Sequence, residues 1–143
     1  MEPSLKISVE ESPDPEDTKV IGRGMQEYNR QRVGENKRQS LHVVLRDENG
    51  EVVGGLSAAT SWNWLYVSGL WVHEKLRGHG YGGELMKVAE EEAVRRGCKA
   101  AYLDTFDFQA PEFYKKIGYT AFGEVPDFPP GHTRYFFTKK LAD

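Results

Sequence analysis

The chain has 143 residues, of which 38% are hydrophobic and 29% are charged, a balance typical of one ordinary globular domain. The net charge of −3 argues against a surface that binds nucleic acid, because such a surface needs an excess of basic residues. No apolar run reaches the roughly 18 residues of a membrane span, and Cys98, the single cysteine, excludes an intrachain disulfide, so we expect a cytoplasmic protein.

The first half of the chain predicts one short strand, one helix and a run of three strands. Apolar and polar residues alternate over 5–10, as in a half-buried strand, and apolar residues recur at helical spacing over 16–31. The dipeptide Asn49-Gly50 indicates a tight two-residue hairpin, because both residues tolerate positive φ, and Trp62-Asn63 marks a second turn. The strands joined by these turns are expected over 41–47, 52–61 and 64–72.

The second half of the chain alternates helices and strands. A helix is predicted over 83–96, because apolar residues recur there at helical spacing and Gly97 is suited to end it. The buried stripe of this helix is expected to consist of Leu85, Met86, Ala89 and Ala93. The remaining expected elements are a strand over 99–106, a short helix from Pro111 to Gly118, and strands over 119–124 and 133–140.

This order of elements predicts a mixed α/β fold in a single domain, residues 1–143. A strand, a helix and a strand in succession need a parallel pair at the centre of the sheet. The hairpins on either side are antiparallel, so the sheet is expected to be mostly antiparallel, with helices packed against it.

The turn from Arg77 to Gly83 contains four glycines between a strand and a helix. Glycines let the backbone approach a ligand closely, and the free N–H groups at a helix N-terminus attract anions. Gly78, Gly80 and Gly83 match the dinucleotide pattern Gly-x-Gly-x-x-Gly, with Asp104 about 20 residues later. We reject that match, because a charged segment precedes the glycines and only about 40 residues follow Asp104, too few for such a fold. No Gly-Lys-Ser/Thr follows, which excludes a phosphate-loop NTPase.

Another interpretation covers most of the chain. Arg77, Gly80 and Gly82 match Arg/Gln-x-x-Gly-x-Gly/Ala, the cofactor-binding motif of the GNAT superfamily of N-acetyltransferases, and the order of elements is also that family's order. The segment 110–119 resembles the family's Ala-x-x-aromatic/Leu-Tyr-x-Lys-x-Gly-Phe/Tyr motif, its lysine aligning with Lys116 when counted back from the glycine. A departure is Asp107, where many relatives have an asparagine that touches the cofactor.

The resemblance implies a fold in which two central parallel strands splay apart and bind acetyl-CoA, the cosubstrate. The backbone of the glycine turn would cradle the pyrophosphate, with Arg77 adding charge, and the N–H of Leu70 or Val72 would receive the developing oxyanion. The cofactor-binding residues that it implies are Leu70, Trp71, Val72, Arg77, Gly78, His79, Gly80, Tyr81, Gly82 and Gly83.

Tyr114 has two interpretations. By resemblance it is the general acid, because a phenol stays protonated at neutral pH and can protonate a departing thiolate. By its position beside Phe113 and Ile117, it is one member of an apolar helix face that packs on the core.

The general base stays open between five residues: His73, Glu74, Asp104, Asp107 and His132. We prefer Asp104, at a strand end, and His132, in a proline-rich loop, because both should lie near the splayed strands. No spacing of histidine and cysteine indicates a metal site.

The acceptor is expected to be a small-molecule amine or a peptide amine, and Trp62, Trp64, Tyr66, Phe106, Phe108 and Tyr135 are candidates to line its cleft. The resemblance makes a homodimer the expected assembly. The alternative to an enzyme is a non-catalytic acyl-CoA-binding or sensing domain of the same fold.

Overall fold

The N-terminal part of the chain contains one helix. A computed structural model describes residues 4–143, and the chain divides into two compact units, Met1–Asn36 and Lys37–Asp143. In the first unit, α1 spans Pro15–Val33, which confirms the helix predicted over 16–31. A side-chain oxygen of Asp14 accepts a hydrogen bond from the N–H of Glu16 at 2.9 Å and so caps the start of the helix.

The strand predicted over 5–10 is wrong. Residues 4–10 form neither strand nor helix, and the side chains of Leu5, Ile7 and Val9 are exposed. Alternation of apolar and polar residues indicates which face of a strand would be buried, but a strand also needs a neighbour that pairs with its backbone groups.

The second unit is built on a six-stranded sheet. Its strands lie in the spatial order β1-β2-β3-β4-β6-β5. Only β3 and β4 are parallel neighbours, which confirms the mixed α/β fold and its mostly antiparallel sheet. The elements are β1 (Gln39–Arg46), β2 (Val52–Ser61), β3 (Trp64–Val72), a single 3₁₀ turn (Glu74–Leu76), α2 (Tyr81–Arg95), β4 (Ala100–Phe106), α3 (Pro111–Lys116), β5 (Thr120–Pro126) and β6 (Thr133–Lys140).

The parallel pair is joined over only half of its length. β3 pairs with β4 from Trp64 to Val67, and this pairing ends opposite Leu103. The next residue of β3, Ser68, is the extra residue of a bulge against β2, since Ser57 pairs with Gly69 while the following position pairs with Val67. A bulge bends and twists the strand that carries it. The bulge therefore explains why β3 leaves β4 at this point and opens the sheet.

The core lies between α2 and the sheet. The predicted stripe of α2 is confirmed, because Leu85, Met86, Ala89 and Ala93 are all buried and belong to one cluster with strand residues such as Leu65 and Phe137. This packing fixes the start of α2 beside the open half of β3. Among residues 4–143, no helix has both the length and the apolar character needed to cross a membrane.

The two hairpin turns differ from the prediction in one respect. Trp62 and Asn63 both have positive φ, as a two-residue hairpin turn requires. Asn49 does not, although Gly50 does, and the N–H of Asp47 bonds to the carbonyl of Glu51 across a longer turn. The Asp47 carboxylate accepts the N–H groups of Asn49 and Glu51, which stabilises this turn over the tight one.

Candidate active site

The separation of β3 and β4 opens a cavity of about 510 Å³. One wall is β3 from its last paired residue, Val67, to Val72, and the other is the end of β4 with the residues that follow it. Tyr114 and Phe113, from α3, complete the lining. The cavity is therefore a direct consequence of the bulge in β3.

Backbone N–H groups of β3 face this cavity. The N–H of His73 bonds to the carbonyl of Val53, on the β2 side. Because N–H groups alternate between the two edges of a strand, those of Leu70 and Val72 point to the opposite edge, where β4 has separated. The carbonyl of Val72 lies on that open edge as well, and it accepts a hydrogen bond from Nε of Arg77 at 2.9 Å.

The glycine turn forms a second cavity, of about 410 Å³, beside the first. Both cavities are lined by Leu70, Val72, Arg77, Ala110 and Phe113, so they share a wall. The second is also lined by Gly78, Gly80, Tyr81, Gly82 and Gly83.

The backbone of this turn is arranged as an anion site requires. Gly78 and Gly80 adopt φ values of +82° and +86°, which residues with a β-carbon rarely adopt. Gly80 precedes the first residue of α2, and the N–H groups of the first helical turn have no intrahelical acceptor. Together with the helix dipole, these groups attract an anion such as a pyrophosphate.

Of the ten residues that the resemblance implied for the cofactor, nine line one or both cavities. Trp71 lines the first cavity, while His79 is exposed and lines neither. Gly82 lies close to Phe113, because a β-carbon built on it would be 3.3 Å from that ring.

Tyr114 is both a core residue and a wall of the cavity. Its side chain is buried and packs near Tyr119 and Phe137, with ring centroids 6.0 and 6.2 Å away. Burial, with a smaller effect of the negative charge on Asp104, raises the pKa of Tyr114 to about 12. Its hydroxyl therefore stays protonated at neutral pH, as a proton donor must.

Comparison with known proteins identifies the family. The sequence profile of the Acetyltransferase (GNAT) family matches residues 6–119. The chain belongs to the GNAT family of acetyltransferases. It is 36% identical over 128 residues to acetyltransferase Atu2258 of Agrobacterium fabrum, which covers 90% of this chain and 93% of that protein.

Two further relatives support this assignment. The chain is 43% identical over 95 residues to blasticidin-S acetyltransferase of Streptomyces morookaense, covering 66% of this chain and 70% of that protein. A crystal structure of an acetyltransferase from Bacillus cereus superposes with a TM-score of 0.86 at 34% identity, covering 94% of this chain and 98% of that one. The chain is thus an acetyltransferase, and no observation favours the non-catalytic alternative.

In this acetyltransferase, Asp104 lines the cavity but is already paired. Arg134 contacts Oδ1 of Asp104 through Nη2 at 2.7 Å and through Nε at 2.8 Å, and the hydroxyl of Tyr66 donates to Oδ2 at 3.1 Å. The Asp104 side chain is 14% exposed. A carboxylate held by these two partners is poorly placed to accept a proton from a substrate, which weakens our preference for Asp104 as the base.

Asp107 and His132 form a second pair, beyond the end of β4. Oδ1 of Asp107 lies 2.8 Å from Nδ1 of His132, and Oδ2 accepts the N–H of Thr133 at 2.9 Å. Partial burial alone would raise the pKa of Asp107, but the hydrogen bonds from Thr133 and His132 outweigh it and lower the pKa. Asp107 lines neither cavity, and both of its carboxylate oxygens are hydrogen-bonded to His132 and Thr133, at the end of the loop between β5 and β6.

His73, Glu74 and His132 also line neither cavity. Glu74 is exposed in the 3₁₀ turn, and His73 accepts the N–H of Lys75 through Nδ1. Of the six aromatic residues considered for the acceptor cleft, only Phe106 and Phe108 line the cavity. Residues 4–143 contain no group of three or more His, Cys, Asp or Glu side chains that could hold a metal ion.

Sequence reasoning missed Gln109. Its Oε1 accepts the N–H of Phe106 at 2.9 Å and the hydroxyl of Thr105 at 3.1 Å, and so fixes the turn that follows β4. A glutamine three residues after an apolar strand end carries no local signal of this role. Only the structure shows that this turn lines the first cavity.

Proposed function

We propose that this acetyltransferase transfers the acetyl group of acetyl-CoA to the primary amine of a small molecule by direct attack. One observation carries the proposal: the edge of β3 that is free of β4, the glycine turn and Tyr114 line two adjoining cavities. A donor with an anionic end and a long flexible arm fits this arrangement.

The residues present fit acetyl-CoA. The N–H groups at the start of α2 and the guanidinium of Arg77 would hold the pyrophosphate. The free edge of β3 would form hydrogen bonds with the amides of the pantetheine arm, as a neighbouring strand does. When bound, acetyl-CoA supplies the activated thioester, and every other requirement of the reaction falls to the protein.

Each step of the transfer has a group available. The N–H of Leu70 or Val72 would donate to the carbonyl oxygen as negative charge develops on it. The new C–N bond forms as the C–S bond breaks, and the hydroxyl of Tyr114 would give its proton to the departing thiolate. The nitrogen of the newly formed amide still carries the extra proton of the attacking amine, and Tyr114 would recover that proton, which leaves a neutral amide and the protein unchanged.

The class of acceptor is supported by one relative and by the cavity wall. The Streptomyces relative is a blasticidin-S acetyltransferase, and blasticidin S is a small molecule. The wall formed by Phe106 and Phe108 is aromatic, with the two rings stacked at 5.3 Å. An amine carried on a flat or apolar group would gain contact area on these rings.

The test is turnover of acetyl-CoA, followed by release of the free thiol, with blasticidin S, an aminoglycoside, spermidine and a short peptide as acceptors. We expect turnover with at least one small-molecule amine. Tyr114→Phe should then lower kcat by about 10- to 10⁴-fold, the range for a positioned acid. Acetyl-CoA binding should change little, because only one hydroxyl is removed.

Tyr102→Phe is the matched control, because Tyr102 lies on β4 and lines neither of the two cavities. Wild-type turnover in both tyrosine variants would reduce Tyr114 to a packing residue. No turnover with any amine would contradict the proposed function. The expected homodimer stays a prediction, which light scattering of the purified protein would check.

A further inference from the structure

The loop between β5 and β6 places a histidine against Phe108, which lines the first cavity, although His132 itself lines neither cavity. The ring of His132 meets the ring of Phe108 edge-on, with centroids 5.0 Å apart and planes at 75°. Phe106 and Phe108 line the first cavity but not the glycine-turn cavity. His132 therefore adjoins the end opposite the proposed pyrophosphate site, where an acceptor can enter while acetyl-CoA occupies the other end.

The contact with Asp107 fixes which ring nitrogen of His132 is available. The hydrogen bonds that lower the pKa of Asp107 keep this carboxyl ionised at neutral pH, so it can only accept. Nδ1 of His132, 2.8 Å from Oδ1, must then be the protonated nitrogen. In the neutral ring Nε2 carries a free lone pair, which is the state that a base requires.

The loop holds this imidazole in place. The N–H of His132 donates to the carbonyl of Pro129, and the N–H of Phe128 donates to the carbonyl of His132, both at 2.9 Å. The N–H of Gly131 donates to Oδ1 of Asp127 at 2.8 Å. With its backbone and Nδ1 bonded, His132 would lose little conformational freedom when a substrate binds.

We infer that His132 is the general base for the acceptor amine and that Asp107 is the residue that positions it. The inference rests on the proposed function and adds to it the group that receives the substrate's proton. Nε2 takes one proton from the acceptor ammonium, leaving a neutral amine and an imidazolium. The imidazolium passes that proton to solvent after the transfer, so the protein returns to its starting state.

The surrounding charges favour this assignment. The charged groups on the elements that meet at His132 are Asp107 after β4, Asp127 in the same loop and Arg134 in β6. Arg134 is paired with Asp104, so the strongest partner of the imidazolium is the carboxylate of Asp107. An aspartate in that position accepts the Nδ1–H and orients the ring, as the carboxylate does in a Ser-His-Asp triad.

The experiment measures kcat/KM for the acceptor against pH, with the best amine of the panel used above. We expect His132→Ala to lower kcat/KM at pH 7 by about 10²- to 10⁴-fold. The rate of this variant should rise with pH in proportion to the fraction of free amine, because only that fraction can react without a base. Added imidazole should restore part of the activity, and the Kd of acetyl-CoA should stay within about twofold of wild type, since His132 lies outside the donor site.

Asp107→Asn tests the positioning role, because it keeps the shape of the side chain and removes its charge. Its kcat/KM for the acceptor should fall by less than in His132→Ala, and nitrogen-15 NMR of the imidazole should show loss of the single Nδ1–H tautomer. His42→Ala is the control for removal of a histidine, because His42 is exposed on β1. It should behave as wild type.

Two failures are distinguishable. Turnover in the wild type together with an unchanged pH profile in His132→Ala would overturn the inference and leave the proposed function intact. An absence of turnover in the wild type would overturn the proposed function and the inference with it.

Discussion

The two ends of the proposed active site are built in different ways. At the glycine turn, the groups that we propose to bind the donor are backbone N–H groups held by local structure, namely two glycines with positive φ and the start of α2. At the far end, the groups that we propose to act on the acceptor are side chains held by partners distant in the sequence. Asp104 and Arg134 are 30 residues apart, and Asp107 and His132 are 25 residues apart.

This difference corresponds to the two tasks that we propose for the site. A pyrophosphate offers the same charge and shape in every transfer, so a fixed backbone site serves it. An acceptor amine must be recognised and deprotonated, and only side chains supply titratable groups and apolar rings for that purpose. The donor end should therefore be sensitive to backbone changes, and the acceptor end to single side-chain pairs.

The largest expected effect is at the donor end. Gly80→Asp forces an aspartate into φ near +86° and places a carboxylate beside the proposed pyrophosphate site. Like charges in contact cost several kcal/mol, so acetyl-CoA binding should weaken on the order of 1000-fold. Calorimetric titration with acetyl-CoA measures this change.

Gly50→Asp separates the charge effect from backbone strain. Gly50 has φ of +80° and, like Gly80, no atom within 4 Å of an added β-carbon, but it lies in the turn between β1 and β2. The Gly50→Asp variant should keep the wild-type Kd for acetyl-CoA. Equal losses in both variants would mean that the glycine turn binds no anion.

The next effect concerns Tyr114, which lines the first cavity. Tyr114 has a pKa raised from about 10 to about 12, so its contribution to stability is present below pH 10 and is lost as the pH rises through 12. A shift of this size corresponds to about 3 kcal/mol. The free energy of unfolding, from urea denaturation at pH 9 to 12, should fall accordingly.

Tyr114→Phe should reduce this alkaline decline without abolishing it. Tyr119 retains its own raised pKa, which has burial as its main cause, with a further contribution from the charge of Glu90. If the variant declined as steeply as the wild type, the hydroxyl of Tyr114 would be free to ionise in the folded protein. The acid role would then lose its physical basis.

A smaller effect is expected from breaking a side-chain pair at the acceptor end. Arg134→Met leaves the carboxylate of Asp104, which is 14% exposed, without its cation. The free energy of unfolding should fall by about 2 kcal/mol, between the values for exposed and for fully buried pairs. Chemical denaturation followed by circular dichroism measures it.

Lys115→Met is the control for this variant. Lys115 pairs with Glu112 at 3.0 Å, but both side chains are more than half exposed. Loss of this surface pair should change the stability by less than about 0.5 kcal/mol. A similar loss in both variants would show that the acceptor end is no more dependent on its ion pair than the open surface is.

The smallest expected effect is a change in acetyl-CoA binding, again at the donor end. A β-carbon on Gly82 would lie 3.3 Å from the ring of Phe113, whereas one on Gly83 would meet nothing within 4 Å. Gly82→Ala should displace Phe113 slightly and weaken acetyl-CoA binding by about two- to fivefold, while Gly83→Ala should leave it unchanged. A reversal of this order would mean that Phe113 does not shape the donor site.

The same contrast explains what the sequence could predict. Strand and helix positions follow from local periodicity, so from α1 onward the predicted order of elements agrees with the structure. The glycine turn follows from a short motif, and eight of the ten residues implied for the cofactor line the glycine-turn cavity. The strand predicted over 5–10 failed because pairing depends on a neighbour that the pattern does not contain. Likewise, the longer turn at Asn49-Gly50 depends on hydrogen bonds that the N–H groups of Asn49 and Glu51 donate to the Asp47 carboxylate.

At the acceptor end the sequence predicts candidate bases without their partners. Asp104, Asp107 and His132 are all candidates by sequence, and nothing local distinguishes a carboxylate bound by Arg134 from one bonded to a histidine. These roles depend on the register of β4 against β6, which brings Phe106 opposite Arg134. Long-range register is what a single sequence specifies least directly.

The central claim is that acetyl-CoA binds along the free edge of β3, between the glycine turn and Tyr114. A nitrogen-15 NMR titration with acetyl-CoA tests it directly, because each backbone N–H reports separately. We predict that the amide signals of Leu70, Val72 and Gly80–Gly83 shift together and saturate with one Kd, while those of Trp64–Val67, where β3 is paired with β4, stay unchanged. Saturable shifts confined to other parts of the sheet, with Leu70 and Val72 unaffected, would contradict the account.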